Sequence, residues 1–272
     1  MMHFLLFVIL GLFVGAYGTL IGAGGGFLLV PILIWLYPSE PPELLASISL
    51  AVVFFNALSG SAAYGRMHRI EYKSGLFFSL AALPGSILGA LSTSYIPRRL
   101  FDGVIGLILV VAALHLFLHP QRDGQHKAIA KPGSTKIHLI DSSGTDYTFS
   151  YNLRTGLLIS FAVGYFSSIL GIGGGIIHVP ALVYFMNFPV YIATATSHFI
   201  LALMAFSGSI THLVAGTLQK GIGDIVPLSI GVILGAQVGA RLSHRFRGNW
   251  ILAGLAIALL LVGLRTLWGL FV

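Results

Sequence analysis

Ten apolar runs fill most of this chain, at about residues 2–21, 26–37, 44–64, 75–95 and 101–118, then at about 153–170, 175–188, 191–214, 221–241 and 249–271. Only 8% of its 272 residues are charged, against roughly a quarter in ordinary globular domains. Mean hydropathy is +0.93. The runs are long and continuous rather than ten-residue stretches of alternating polarity, so helices, not a closed barrel, are the expected spanning elements. The expected fold class is therefore an all-α polytopic membrane protein. The opening stretch lacks a basic segment before its apolar part and resembles the region from Leu153 onward. It reads as a retained helix.

Five runs lie on each side of one polar stretch, which divides the chain into a first transmembrane repeat at 1–118, a linker at 119–152 and a second repeat at 153–272. Within the linker, "KIHLID-SSG-TDYTFSY" alternates and turns on a glycine, the pattern of a small β-hairpin, with a mobile linker as the competing reading. The two halves match beyond their run count. Gly15 answers to Gly164, Gly22 to Gly171 and Pro31 to Pro180, "SGS" at Ser59–Ser61 recurs at Ser207–Ser209, and "GSILGA" from Gly85 recurs as "GVILGA" from Gly231. This is duplication, the common architecture of secondary transporters, whose sites lie between the repeats.

The loop charges orient the halves. If all ten runs cross, one side holds eleven basic residues (Arg66, Arg69, Lys73, Arg122, Lys127, Lys131, Lys136, Arg154, Arg241, Arg245, Arg247) and the other holds Arg98, Arg99, Lys220 and Arg265. The basic side is then cytoplasmic, the linker included, and both termini are outside. Five spans per half make the repeats inverted. A rival count treats the short second and seventh runs as re-entrant, which leaves eight spans and parallel repeats. The ten-run reading is preferred.

Each half carries three consecutive glycines in an apolar context, "TLIGAGGGFLLVP" and "SILGIGGGIIHVP". Each glycine inside a helix costs about 1 kcal/mol relative to alanine, so both stretches are expected to be broken backbone near the bilayer middle, each heading a short helix. Non-helical backbone at that depth belongs where it is buried in protein or lines a cavity. The unpaired amides opening each short helix, at the positive end of its dipole, make an anion site without a charged side chain. Close helix packing at small residues is the competing explanation. The candidate substrate-binding residues are Gly24, Gly25, Gly26, Gly173, Gly174 and Gly175. Hydroxyls and an imidazole at the heads of the following helices join them: Ser47, Ser49, Thr196, Ser197 and His198. Asn56, His178 and Gln237 are further candidates to line the path.

All eight acids, Glu40, Glu43, Glu71, Asp102, Asp123, Asp141, Asp146 and Asp224, fall in loops or at run ends, whereas cation and proton pumps ordinarily keep a carboxylate at depth. His115, His178, His198 and His212 do lie in apolar runs, and His198, beside Thr196 and Ser197, is the strongest candidate for proton transfer. The chain has no cysteine, no histidine-rich metal spacing and no intramembrane arrangement for proteolysis. No catalytic residue, metal or cofactor is expected, and the chain is not read as an enzyme.

Together these residues resemble the TauE/SafE family of membrane permeases, also called the sulfite exporter or toluene-sulfonate uptake family. The family's "GxGGGxxxxP" is matched by Gly22, Gly24, Gly25, Gly26 and Pro31, and again by Gly171, Gly173, Gly174, Gly175 and Pro180. The later "GTS"-like element reads "TATS" at Thr194–Ser197, with Ala195 replacing glycine, and its first-half counterpart is "ASIS". The resemblance implies transport of small anions, including sulfite, sulfonates and short carboxylates. The resulting expectation is a plasma-membrane secondary transporter working by alternating access. Its partners are the small anion, the lipid bilayer and a coupling ion, proton or sodium, with oligomers left open and nucleic acid excluded. Two alternatives stay open from sequence: a passive anion channel, and a membrane scaffold or assembly protein in which the glycines only pack.

Overall fold

The computed structural model describes residues 2–118, 134–243, 245 and 248–269. The helices are α1 (Met2–Leu20), α2 (Gly26–Leu36), α3 (Pro42–Arg66), α4 (Tyr72–Ser92), α5 (Arg98–Leu118), α6 (Leu153–Leu170), α7 (Gly175–Pro180), α8 (Val190–Val214), α9 (Ile222–Ser243) and α10 (Gly248–Trp268). Between α5 and α6 lie β1 (Thr135–Ile140) and β2 (Asp146–Tyr151), an antiparallel hairpin with Thr135 opposite Tyr151. It occupies the end of the expected linker, whose residues 119–133 lie outside the described set. Among the described residues, seven helices, α1, α3, α4, α5, α6, α8 and α9, are long and apolar enough to cross a membrane. The protein is a multi-pass α-helical membrane protein.

Local chemistry sets the helix starts. Pro42 opens α3 in the first turn, where its missing N–H is no loss. Glu71 caps α4 by accepting from the Ser74 amide, and Asn152 caps α6 by accepting from the amides of Arg154 and Thr155. After Pro180, α7 continues as a π-helical segment over Ala181–Phe185, so α2 and the α7 unit each come to eleven residues, about 16 Å of helix.

Small residues decide which helices touch. Gly11 and Gly15 of α1 lie on Leu228 and Val232 of α9, while Gly235 and Gly239 of α9 lie on Leu12 and Ala16 of α1. The same close approach joins α4 to α6, with Gly85 on Phe161 and Gly89 on Tyr165. In both pairs the numbers rise together, so the helices run parallel. Helix α3 also runs parallel to α9, with Thr217 and Glu43 joined at one end and Gln237 and Ser59 at the other. Helix α8 runs parallel to α4, where Gly75 meets Phe199 and Ser86 bonds Ser207. By contrast α3 and α8 are antiparallel: Gly60 meets His198 and Gly208 meets Leu50. Helices α5 and α10 are antiparallel as well, with Gly106 on Leu267 and Gly263 on Leu109.

Three helices, α1, α3 and α9, thus share one direction, and α4, α6 and α8 share the opposite one. Since α1 and α3 point the same way, the glycine stretch and α2 between them must bring the chain back. The reversal is visible at Gly25, where a Cβ would lie 2.7 Å from the Val14 side chain in α1.

The hairpin packs on one end of the bundle. Phe149 and Tyr151 set their rings on Phe188, 4.4 and 5.4 Å between centroids. The Ser142 amide donates to the Met67 carbonyl at 3.0 Å, and Arg69 pairs with Asp141 at 3.3 Å. Burial raises the Asp141 carboxyl, but hydrogen bonds from Ser143 and Thr145 and the Arg69 charge outweigh it and hold the group below its ordinary range.

Candidate functional site

Both glycine stretches are broken backbone. α1 stops at Leu20 and α2 starts at Gly26; α6 stops at Leu170 and α7 starts at Gly175. Between them Gly22, Gly24, Gly25, Gly171, Gly173 and Gly174 have φ between 54° and 82°, the left-handed region that residues with a Cβ enter at a cost. Alanine or leucine at these positions would favour a continuous helix, and glycine allows the chain to turn instead.

The two breaks touch each other. A Cβ on Gly26 would lie 2.6 Å from the Ile172 carbonyl oxygen, and one on Gly175 would lie 2.5 Å from the Gly22 carbonyl oxygen. Backbone meets backbone across the two halves of the chain. Apolar side chains from the crossing helices close the arrangement: Leu201 of α8 sits on Gly24, and Val53 of α3 sits on both Gly26 and Gly173.

The amides of the breaks are only partly used. In the first, Ala23 and Gly24 donate to the Gly18 carbonyl, and Leu28 and Leu29 donate to Gly25. The amides of Gly25, Gly26 and Phe27 have no acceptor among the described residues. In the second, Gly175 donates to Gly173, and Ile177 and His178 donate to Gly174, which leaves Gly173, Gly174 and Ile176 unmatched. Buried amides of this kind are normally paired, and a concave set of them at a helix start suits an anion.

The polar side chains expected at the helix heads are all buried, and several reach the first break. Ser197 donates to the Gly22 carbonyl at 3.3 Å. Thr19, at the end of α1, donates to Asn56 Oδ1 at 2.9 Å and lies 3.2 Å from His198 Nε2. Thr19 thus bridges Asn56 and His198, and the His198 ring also lies against the Thr194 carbonyl one turn back in α8. Tyr64 donates to the Thr19 carbonyl at 2.8 Å. Ser49 Oγ, Asn56 Nδ2 and Ser167 Oγ are buried without a partner among the described residues. Ser167 faces the second break, 3.0 Å from a Cβ on Gly174.

Other candidates are placed elsewhere. Ser47 donates to the Leu44 carbonyl of its own helix, and Thr196 accepts from the Glu71 amide at the head of α4. His178 pairs with Ser160 of α6, and Gln237 donates to Ser59 between α9 and α3. The His115 side chain lies outside the described residues. Thr19, Val53, Tyr64, Ser167 and Leu201 are the participants that sequence reasoning missed. Their proximity depends on which helices pair, although the spacing of Gly11 and Gly15 and of Gly231, Gly235 and Gly239 was a usable sign. Among the described residues no group of three histidine or acidic side chains is gathered to hold a metal.

The family model described as "Sulfite exporter TauE/SafE" matches residues 7–266. The "Probable membrane transporter protein YunE" of Bacillus subtilis is 32% identical over 277 residues, covering 98% of each chain. The "Probable membrane transporter protein MJ0441" of Methanocaldococcus jannaschii is 26% identical, covering 88% of this chain and 86% of its own. No solved structure matches with significance. The chain belongs to the TauE/SafE sulfite exporter family of membrane transporter proteins.

Proposed function

We propose that the chain is a plasma-membrane secondary transporter for a small oxyanion, such as sulfite, a sulfonate, another organosulfur anion or a short carboxylate. The observation that carries this reading is the contact between two glycine turns, each with buried backbone amides that lack an acceptor. Amides bind an oxyanion by dipole and hydrogen bond and hold no net charge, so the anion can leave again. The family's description as sulfite exporters supports the substrate class.

The mechanism we propose is alternating access in a bundle built of two inverted halves. Self-matched helices α3 and α8, and α5 and α10, are antiparallel, as a two-fold axis in the membrane plane requires. The tight pairings favour moving bodies that mix the halves, because α1 is locked on α9 and α4 on α6 by backbone contact. One body is α1, α2, α3 and α9; the other is α4, α6, α7 and α8. They meet along α3 and α8 and at the glycine turns, where Val53 and Leu201 must withdraw to admit the anion.

Purified protein melted against sulfite, sulfate, thiosulfate, taurine, sulfoacetate and acetate tests binding, since a ligand of the folded state stabilises by mass action. Uptake of the stabilising anion into proteoliposomes should saturate and show counterflow. Linear, voltage-driven flux would replace the carrier with a channel, and no ligand and no flux would remove the anion reading.

A further inference from the structure

The imidazole and the amide at the first break have no counterparts at the second, where Ser168 bonds Ser86 instead. The register fixed by the two "SGS" tripeptides places Leu50 where the second half has His198, and Met204 where the first half has Asn56. The second half therefore builds the same kind of broken helix with no imidazole and no amide at the corresponding contacts. The break itself does not require the chain His198 to Thr19 to Asn56.

We infer that the His198 imidazole binds the coupling proton of anion transport, in step with anion binding at the first glycine turn. The inference rests on the anion-transport reading. His198 is fully buried, its ring lies against the Thr194 carbonyl one turn back, and it fills the space over Gly60, where a Cβ would lie 2.5 Å from it. Its neighbour Ser197 bonds the Gly22 carbonyl inside the turn, so the imidazole is linked to the break both through Thr19 and along its own helix. Tyr64 of α3, edge-on at 5.6 Å, is the titratable group packed against the ring. The charged groups at that end are Glu71, whose amide is on Thr196, and Arg69, paired with Asp141. Among the described residues the buried charged side chains are Arg69, Glu71 and Asp141, none of them bonded to His198. An anion held by neutral amides brings an uncompensated charge into the bundle, which is costly. A proton taken by the imidazole offsets that charge, and its release with the anion returns the ring to neutral. Proton and anion then move in the same direction.

The full chain reconstituted with a trapped pH dye tests this. Labelled sulfite, sulfoacetate and methanesulfonate report anion uptake; the two sulfonates stay ionised across neutral pH, so the dye reads protons carried by the protein. The expected result is proton entry with the anion in the native chain and its loss in His198→Gln and in His198→Leu, which copies Leu50. Both variants should stay folded, with the protons carried per anion taken up falling whatever happens to the uptake rate itself, and Thr19→Ser should keep coupling. Anion-driven proton entry persisting in His198→Gln would overturn the inference, as would uptake by the native chain without protons. Failure of both His198 variants to fold would make the residue structural and overturn it too. Absence of all anion uptake in the native chain would instead remove the transport reading beneath it.

Discussion

Alanine at Gly175 or Gly26 should wedge the two broken helices apart. Neither glycine has a positive φ, so alanine is conformationally acceptable there, and the effect isolates the contact between the turns. The new Cβ at residue 175 would lie 2.5 Å from the Gly22 oxygen and 2.7 Å from the Ala23 Cα, and at residue 26 it would lie 2.6 Å from the Ile172 oxygen, where ordinary contact begins near 3.4 Å. The shortfall is about 0.8 Å against backbone on both sides, so no side chain can swing away and the turns must separate. Overpacking of this kind costs about 1–3 kcal/mol. At roughly 2–4 °C per kcal/mol, the melting temperature should fall by several degrees. The double variant should lose less than the two single losses added, because one separation relieves both clashes. Gly223→Ala is the control: nothing lies within 4 Å of its Cβ in α9, and alanine should be neutral or gain up to about 1 kcal/mol. Thermal unfolding in detergent reads the native chain and all four variants. Gly26→Ala and Gly175→Ala melting with the control would refute the contact between the breaks.

Breaking the Arg69–Asp141 pair, with side chains 9% and 1% exposed, should cost about 3 kcal/mol, because one charge is left buried and alone; Asp141→Asn melting like the native chain at neutral pH would contradict this. The Asp141 carboxyl is held below its ordinary range, so its contribution is present above that range and lost as pH falls through the folded value. The melting curves of native and Asp141→Asn protein should therefore converge in acid. Cysteines can be introduced cleanly because the chain has none. Cross-linking Ser59→Cys to Gln237→Cys, within one proposed body, should leave uptake intact. Linking Phe54→Cys to Phe206→Cys, whose native rings lie 5.2 Å apart between the bodies, should block it; the reverse pattern would assign the moving parts differently.

The helix order and both breaks were legible in the sequence because their causes are local. Continuous apolar runs need internally bonded backbone in lipid, and "GAGGG" and "GIGGG" supply the left-handed conformations that end a helix. The hairpin was legible too, since residues 136–151 alternate and turn at Gly144, φ 80°. Pairing was not. Nothing within "GLFVG" names "GVILG" as its partner, and the Thr19–Asn56–His198 chain exists only because α1, α3 and α8 converge. For the same reason Gln237 looked like a lining residue, whereas its amide is satisfied by Ser59. The π-helical continuation of α7 was also hidden. Pro180 offers no amide to bond back along the helix, but nothing in the run after it indicates a wider turn.

The central claim is that the anion sits on the amides of the two glycine turns. Selenite, a heavier relative of sulfite, locates it directly through anomalous scattering from crystals grown at saturating concentration. The account predicts a peak between the turns, within hydrogen-bond reach of the amides of Gly25, Gly26 and Phe27 or of Gly173, Gly174 and Ile176. A peak elsewhere in the chain with the turns still sealed by Val53 and Leu201, or no peak at all, would contradict it.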